Sequence, residues 1–221
     1  MSARPAAATE TVAMFFRQPF FCTALLALIC ALPAPATAVS CYPQHTPSTP
    51  DQDFDASANG TARHLPTGLI WMRCNLGQSW NGATCVGSPA TFTSWGVGLR
   101  TVRDINTGVS DLDGDGAPGF ADERDWRMPN IKEWRSIHET CRYNPAMNDA
   151  IFPNAPIAAI HYASTTDDKS PATFVYFDTQ FGTTGVTLKD DAIPRMMRLV
   201  RGGQRGGDYG PPQPLFSDGF E

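Results

Sequence analysis

The chain has 221 residues, with 17 Lys and Arg against 22 Asp and Glu for a formal charge of −5, and it is 42% hydrophobic. Allowing for a leader, that length suits one domain with a sizeable core rather than two, and 19 Gly and 19 Pro divert much of it into turns and short strands. The acidic balance argues against nonspecific binding to nucleic acid or to an anionic membrane, since both rely on positive patches.

From Met14 onward, Arg17 precedes the apolar run FFCTALLALICAL and the small-residue triplet Ala36-Thr37-Ala38. Basic, apolar and small residues in that order predict a secretory signal peptide over residues 1–38, with residues 1–13 as an upstream extension and cleavage after Ala38. The apolar run is short and soon meets Pro33 and Pro35, which disfavours a membrane span. A lipoprotein signal ending at Cys41 ranks below simple export, because Ala38 is a poor first residue for that box. The mature chain would hold 15 basic and 21 acidic residues, a charge of −6.

Cleavage removes Cys22 and Cys30 and leaves Cys41, Cys74, Cys85 and Cys141. Four cysteines in an oxidising compartment imply two disulfides with three possible connectivities. Cys74 and Cys85 bracket the turn-rich NLGQSWNGAT and can close a short loop, leaving Cys41 to tether the N-terminus to Cys141. Zinc is disfavoured, as no cysteine pair has knuckle spacing and the four histidines are scattered.

Residues 39–53 open a Pro, Thr, Ser and Asp rich stretch that reads as an extended surface arm. TGLIWMRC, residues 67–74, reads as a central strand: Leu69 and Trp71 share one face, Ile70 and Met72 the other, and both faces are apolar. TSWGVGLRTVRDI predicts a helix capped by Thr93 or Ser94, with Trp95, Leu99 and Val102 at helical spacing; its two glycines suggest a close neighbour.

SDLDGDGAPGFADE follows, in which Asp111, Asp113 and Asp115 alternate before Gly116. Three carboxylates at that spacing, with glycine for the sharp turn, can wrap a hard cation, and Asp122 stands where an EF-hand loop would close. Calcium is the expected ion, against the bland reading of a solvated acidic turn. Pro118 and the lack of clear flanking helices argue against an actual EF-hand.

In RDWRMPNIKEWRSI, Asn130 and Glu133 have capping-box spacing beside Pro129. Ile131, Trp134, Ile137 or His138, and Cys141 then fall along one helical face, so a disulfide would staple that helix's end. The two tryptophans read as core, and His138 as a helix-flank residue rather than a base. Further on, FVYFDTQFGTTGVTLKD predicts a hairpin turning near Gly182 or Gly185. RMMRLVRGG alternates apolar and basic residues, and residues 205–221 form a Gly/Pro-rich tail outside the core.

Taken in order, FDASANGT, TGLIWMRC, GFADERDWRMPNIKEWRSI, NPAMNDAIFPN and MRLVRGGQ resemble the bacterial domain named for the C-terminal region of a Legionella collagen-like adhesin. The resemblance spans residues 54–204, and DWRMPN and RLVRGG carry it most specifically. It implies a secreted, periplasmic or cell-surface recognition domain for glycans, including sulfated polysaccharides, in adhesion. Such a ligand asks for basic residues, and Arg124, Arg135, Arg142, Arg198 and Arg201 are the candidates, with Arg127 assigned to structure. Relatives commonly carry the same four cysteines, lack the aspartate loop, and show tryptophan where HYASTT has Ala163.

The helix motif and closing RLVR are also similar, more distantly, to sulfatase-modifying, formylglycine-generating enzymes. That similarity implies an α+β, C-type-lectin-like fold: two helices beside a small, mostly antiparallel sheet with long loops. Those enzymes need a late pair of reactive cysteines, and none follows Cys141 here. No Gly-x-Ser-x-Gly elbow, His-Glu-x-x-His helix or paired-carboxylate site is present either. A non-catalytic protein is therefore expected, with an envelope structural role as the alternative to recognition and an oxidase third.

Overall fold

A computed structural model describes residues 41–202. The leader assigned to residues 1–38 and the tail assigned to 205–221 lie outside the described residues.

A single 3-10 turn, Asp51–Asp53, leads into β1 (Phe54–Ala56), β2 (Thr61–His64) and β3 (Leu69–Met72). These pair antiparallel with the late strand β9 (Val200–Arg201) in the order β1-β2-β3-β9. A small hairpin of β4 (Ser79–Trp80) and β5 (Cys85–Val86) follows, then α1 (Trp95–Asn106) and α2 (Ile131–Ser136). The second half is the meander β6 (Ile160–Thr166), β7 (Thr173–Asp178) and β8 (Thr183–Leu188). The architecture is α+β, with two helices and three small antiparallel sheets among the described residues. No helix among them is long and apolar enough to cross a membrane.

The central position expected of the strand at 67–74 is observed: β3 lies between β2 and β9. Its period-2 pattern splits the interior in two. Leu69 and Trp71 enter a cluster with Trp134, Ile137, Phe152 and Phe177, while Met72 enters another with Ile105, Trp126, Met128 and Met197. The meander feeds the same two clusters, since Phe177 joins the first and Tyr162 and Phe174 the second. Trp134 ties the sheets together: its ring stacks on Phe177 at 5.2 Å and its Nε1 donates to the Tyr162 carbonyl. Deleting a fully buried tryptophan of this kind costs about 3–5 kcal/mol.

In α1, Ser94 Oγ accepts the Val97 N–H, as a capping residue should. The buried face differs from expectation. It is Gly98, Val102 and Ile105, whereas Leu99 is 39% exposed. Gly98 turns the helix this way because it lets the backbone approach Met197; a Cβ built there would lie 2.8 Å from Met197 Sδ.

In α2, the Asn130–Glu133 capping box is complete. The helix ends at Ser136, however, so Cys141 lies beyond it rather than on its face. The chain instead turns so that His138 bridges Met147 and the Glu139 carboxylate is buried. Arg127 donates to Glu133 at 2.6 Å and to the Gly202 carbonyl, which locks the helix start onto the strand after Leu199. Alternation in RMMRLVRGG fails at Arg198, which is fully buried together with Met197, Leu199 and Val200.

The N-terminal arm is more than a surface strap. Cys41 is bonded to Cys141 and Cys74 to Cys85. Glu139 Oε1 accepts the Ser48 N–H and Oε2 the Thr49 N–H, both at 2.9 Å. The amide of Asn148 donates to the Thr49 carbonyl. A buried carboxylate thus holds residues 48–49, and the disulfide holds the end of the arm.

Candidate recognition groove and aspartate loop

A groove of about 460 Å³ lies between the turn at Asn59, the loop from Asn75 to the β4–β5 hairpin, and the aspartate loop after α1. Trp80 forms one wall. Its indole Nε1 donates to the Ala58 carbonyl at 2.9 Å, and the Arg73 guanidinium sits 4.0 Å from its ring. Gly60 makes this placement possible: its φ is +85°, and a Cβ there would lie 2.9 Å from the Trp80 side chain. The Cys74–Cys85 bond closes the loop on which Trp80 is carried.

Asp113, Asp115 and Asp122 also line the groove. Carboxylate oxygens of Asp111, Asp113 and Asp115 lie within 4.8 Å of one another, and all three residues are exposed. The loop is shaped by its own backbone. Asp111 accepts the N–H groups of Gly114 and Gly116 at 2.7 and 2.9 Å, and those donors hold its carboxyl below the usual carboxylate range. Asp113 accepts from Ala121, and Asp115 from Ala117. Both glycines have φ near +78°, the left-handed conformation the tight wrap requires.

Asp122 is not brought into that carboxylate group. It follows Ala121 in a tight turn in which both residues have positive φ and Phe120 pairs with Glu123, and it lines the groove. The remaining three residues, with two glycines between and after them, have the donor chemistry of a hard-cation loop.

The five arginines considered for a basic patch are placed in different environments. Arg124 is exposed, and Arg135 is exposed with Nη2 on the Thr184 hydroxyl. Arg201 is committed to Glu123 and Asp125 at 2.7 and 2.6 Å, and Arg142 forms an ion pair with Asp149. Arg198 is 1% exposed and donates to the carbonyls of Met72 and Arg73. Of the five candidates, Arg142 and Arg201 are thus paired with carboxylates and Arg198 is buried in the core, which leaves Arg124 and Arg135 exposed. Ala163, in HYASTT, is fully buried.

Sequence reasoning did not single out Trp80, Asn59 or Gln78, which line the groove. The one local signal was a tryptophan in an otherwise polar loop held between two cysteines. It also passed over Glu139. Burial would raise the pKa of that carboxyl, but N–H groups of Ser48, Cys141 and Thr49 outweigh burial and hold it below its ordinary value.

No curated protein sequence matches the chain. A family model matches residues 60–201, which include all of the groove lining except Ala58 and Asn59, both helices and all but β1 of the strands just described. The chain belongs to the Lcl C-terminal domain family.

Proposed function

We propose that this is a non-catalytic, extracellular recognition domain with a C-type-lectin-like arrangement, which binds glycan in the groove between Trp80 and the aspartate loop. Family membership and two disulfides fit a surface or secreted bacterial protein. The observation that carries the binding site is that the half-buried Trp80 lines one groove together with the aspartates and with Asn59 and Gln78. An aromatic ring for the apolar face of a sugar, with amides and carboxylates for its hydroxyls, is a pairing suited to polyhydroxylated ligands.

Calcium on Asp111, Asp113 and Asp115 belongs to the same proposal. When bound, it would supply a positive centre at the groove wall and offset the repulsion among the three carboxylates. The acidic wall and the ion-paired state of Arg142 and Arg201 favour neutral glycans over sulfated ones. All four cysteines of the described residues are bonded in pairs, which leaves them no thiolate for oxidase chemistry.

The test is a glycan array with oxidised protein spanning residues 39–221, run in calcium and in chelator. Selective binding lost in chelator supports the groove with its ion. Binding unchanged by chelator keeps recognition and reduces the loop to a scaffold. No binding in either arm overturns the reading in favour of an envelope structural role.

A further inference from the structure

The meander ends on an open sheet edge. β8 is six residues long, and it pairs with β7 in an unbroken antiparallel register from Thr183–Asp178 to Leu188–Thr173. In such a ladder alternate residues turn their N–H and C=O groups toward the neighbouring strand and away from it. The phase is fixed on both sides of β7: the Lys189 N–H donates to the Ala172 carbonyl, and the Thr173 carbonyl accepts from Asp167 on the β6 side. Thr183, Gly185 and Thr187 therefore bond to β7, whereas Thr184, Val186 and Leu188 direct their backbone groups outward. Among the described residues none of these outward groups has a backbone partner.

The other sheet edges are closed or blunted. Met196 and Pro129 bond to the outer side of β6, and Arg127 bonds to the outer side of β9. β1 has only three residues with the exposed Asp55 at its centre, and β4 and β5 have two residues each. A long bare edge invites pairing with another strand, and proteins that stay monomeric guard it with a charge, a proline, a bulge or a cover. β8, TTGVTL, holds no charge and no proline, and its register has no bulge. The first charge after it, Lys189, is drawn back onto the Thr166 hydroxyl at 3.0 Å and the Trp95 ring at 4.3 Å. Val186 and Leu188, which share one face of the strand, are 52% and 55% exposed.

We propose that β8 pairs antiparallel with β8 of a second copy of this chain, across a two-fold axis at Val186, so that two meanders join into one continuous sheet. The occupant is a second copy because the strand is its own complement. With Val186 on the axis, its outward N–H and C=O meet those of Val186 in the second copy, and those of Thr184 meet those of Leu188. The exposed valine and leucine side chains then lie beside one another across the junction, a favourable cross-strand arrangement, and no like charges oppose each other within the strand. Arg135, exposed and held on the Thr184 hydroxyl at 3.1 Å, comes to the side where the exposed Asp190 of the second copy leaves its strand. A single strand pair is a small interface, so the association is weak and reversible. No residue of β8 lines the groove with Trp80, and the pairing stands whether or not glycan binds there.

Sedimentation equilibrium of the oxidised protein of residues 39–221, at concentrations up to about 1 mM, tests the pairing in the range where weak interfaces associate. The expected mass rises reversibly toward twice the monomer value. Hydrogen exchange at the Thr184, Val186 and Leu188 amides should slow as concentration rises, while Gly185 and Thr187 stay protected throughout. Val186→Pro removes only an outward N–H, a change that edge strands tolerate, and Val186→Lys sets like charges against each other at the axis. Each variant should weaken dimerisation about tenfold or more and leave the near-ultraviolet spectrum unchanged. A mass that stays monomeric at the highest concentration overturns the proposal, as it would if β8 took a strand from a different protein. So does a dimer that both variants form as readily as the unsubstituted protein, or one that leaves exchange at the three outward amides unaltered, since either result places the interface elsewhere.

Discussion

Arg127 and Glu133 meet through two parallel hydrogen bonds, Nη1 to Oε2 at 2.8 Å and Nη2 to Oε1 at 2.6 Å, while Oε2 also accepts the N–H of the capping residue Asn130. One carboxylate therefore closes the helix start and fastens it to Arg127, whose backbone pairs with Val200. Glu133→Ala is expected to cost about 2–3 kcal/mol in urea denaturation, more than loss of a cap alone. Arg127→Lys should recover little in that assay, since an ammonium cannot reproduce the bidentate geometry.

Glu139 should give the arm its acid sensitivity. Its folded-state pKa is depressed relative to the unfolded chain, so its contribution is fully present above the ordinary carboxylate value of about 4.3. That contribution falls as pH drops through the lower folded value. Thermal midpoints measured from pH 7 to pH 2 should fall more steeply below about pH 4.3 in the unsubstituted protein than in Glu139→Gln. Parallel curves would show that the buried carboxylate is not the responsible group.

Gly182 begins the return of the β7–β8 hairpin at φ +68°, and a Cβ there would lie 1.8 Å from His138 Nε2. Because His138 is half-buried and packs edge-on to Phe177, it has little room to yield. Gly182→Ala is expected to destabilise by about 2 kcal/mol, combining left-handed strain with displacement of the imidazole. His138→Ala in the same background should recover part of the loss in a denaturant titration.

Trp80→Ala tests the groove. Glycan affinity should fall at least tenfold on the array or by calorimetry, while the near-ultraviolet spectrum of the buried tryptophans stays unchanged. Loss of the fold along with binding would instead assign Trp80 to structure.

Asp113→Asn tests the loop independently of any sugar. Millimolar calcium should raise the thermal midpoint of the unsubstituted protein and have less effect on the variant. An equal response in both would place calcium elsewhere.

Local chemistry carried much of this fold to the surface of the sequence. The capping box at Asn130–Glu133, the two apolar faces of β3, the Ser94 cap and the β7–β8 hairpin all rest on residues within a few positions of one another, and propensity and side-chain period report such features directly. The aspartate loop was legible for the same reason, since Asp111, Asp113 and Asp115 are brought together by turns within their own segment. Family membership was readable because DWRMPN and RLVRGG are short, ordered strings.

Tertiary structure decided what depends on distant partners. Arg198 continues an alternating pattern that predicts exposure, yet Met72, Arg73 and Phe152 enclose it. Leu99 has helical spacing for the core, yet Met197 against Gly98 selects the neighbouring face. Glu139 gives no local sign that it will anchor residues some 90 positions earlier, and Trp80 gains its setting only when Gly60 and Arg73 close around it. By itself the sequence determined β3, the two helix starts with their caps, the β7–β8 hairpin and the family, because those follow from short-range sterics and hydrogen bonds. Which charges are buried, which are paired and which wall faces the groove were decided only when segments remote in the chain packed against one another, since burial and electrostatics depend on all the neighbours at once.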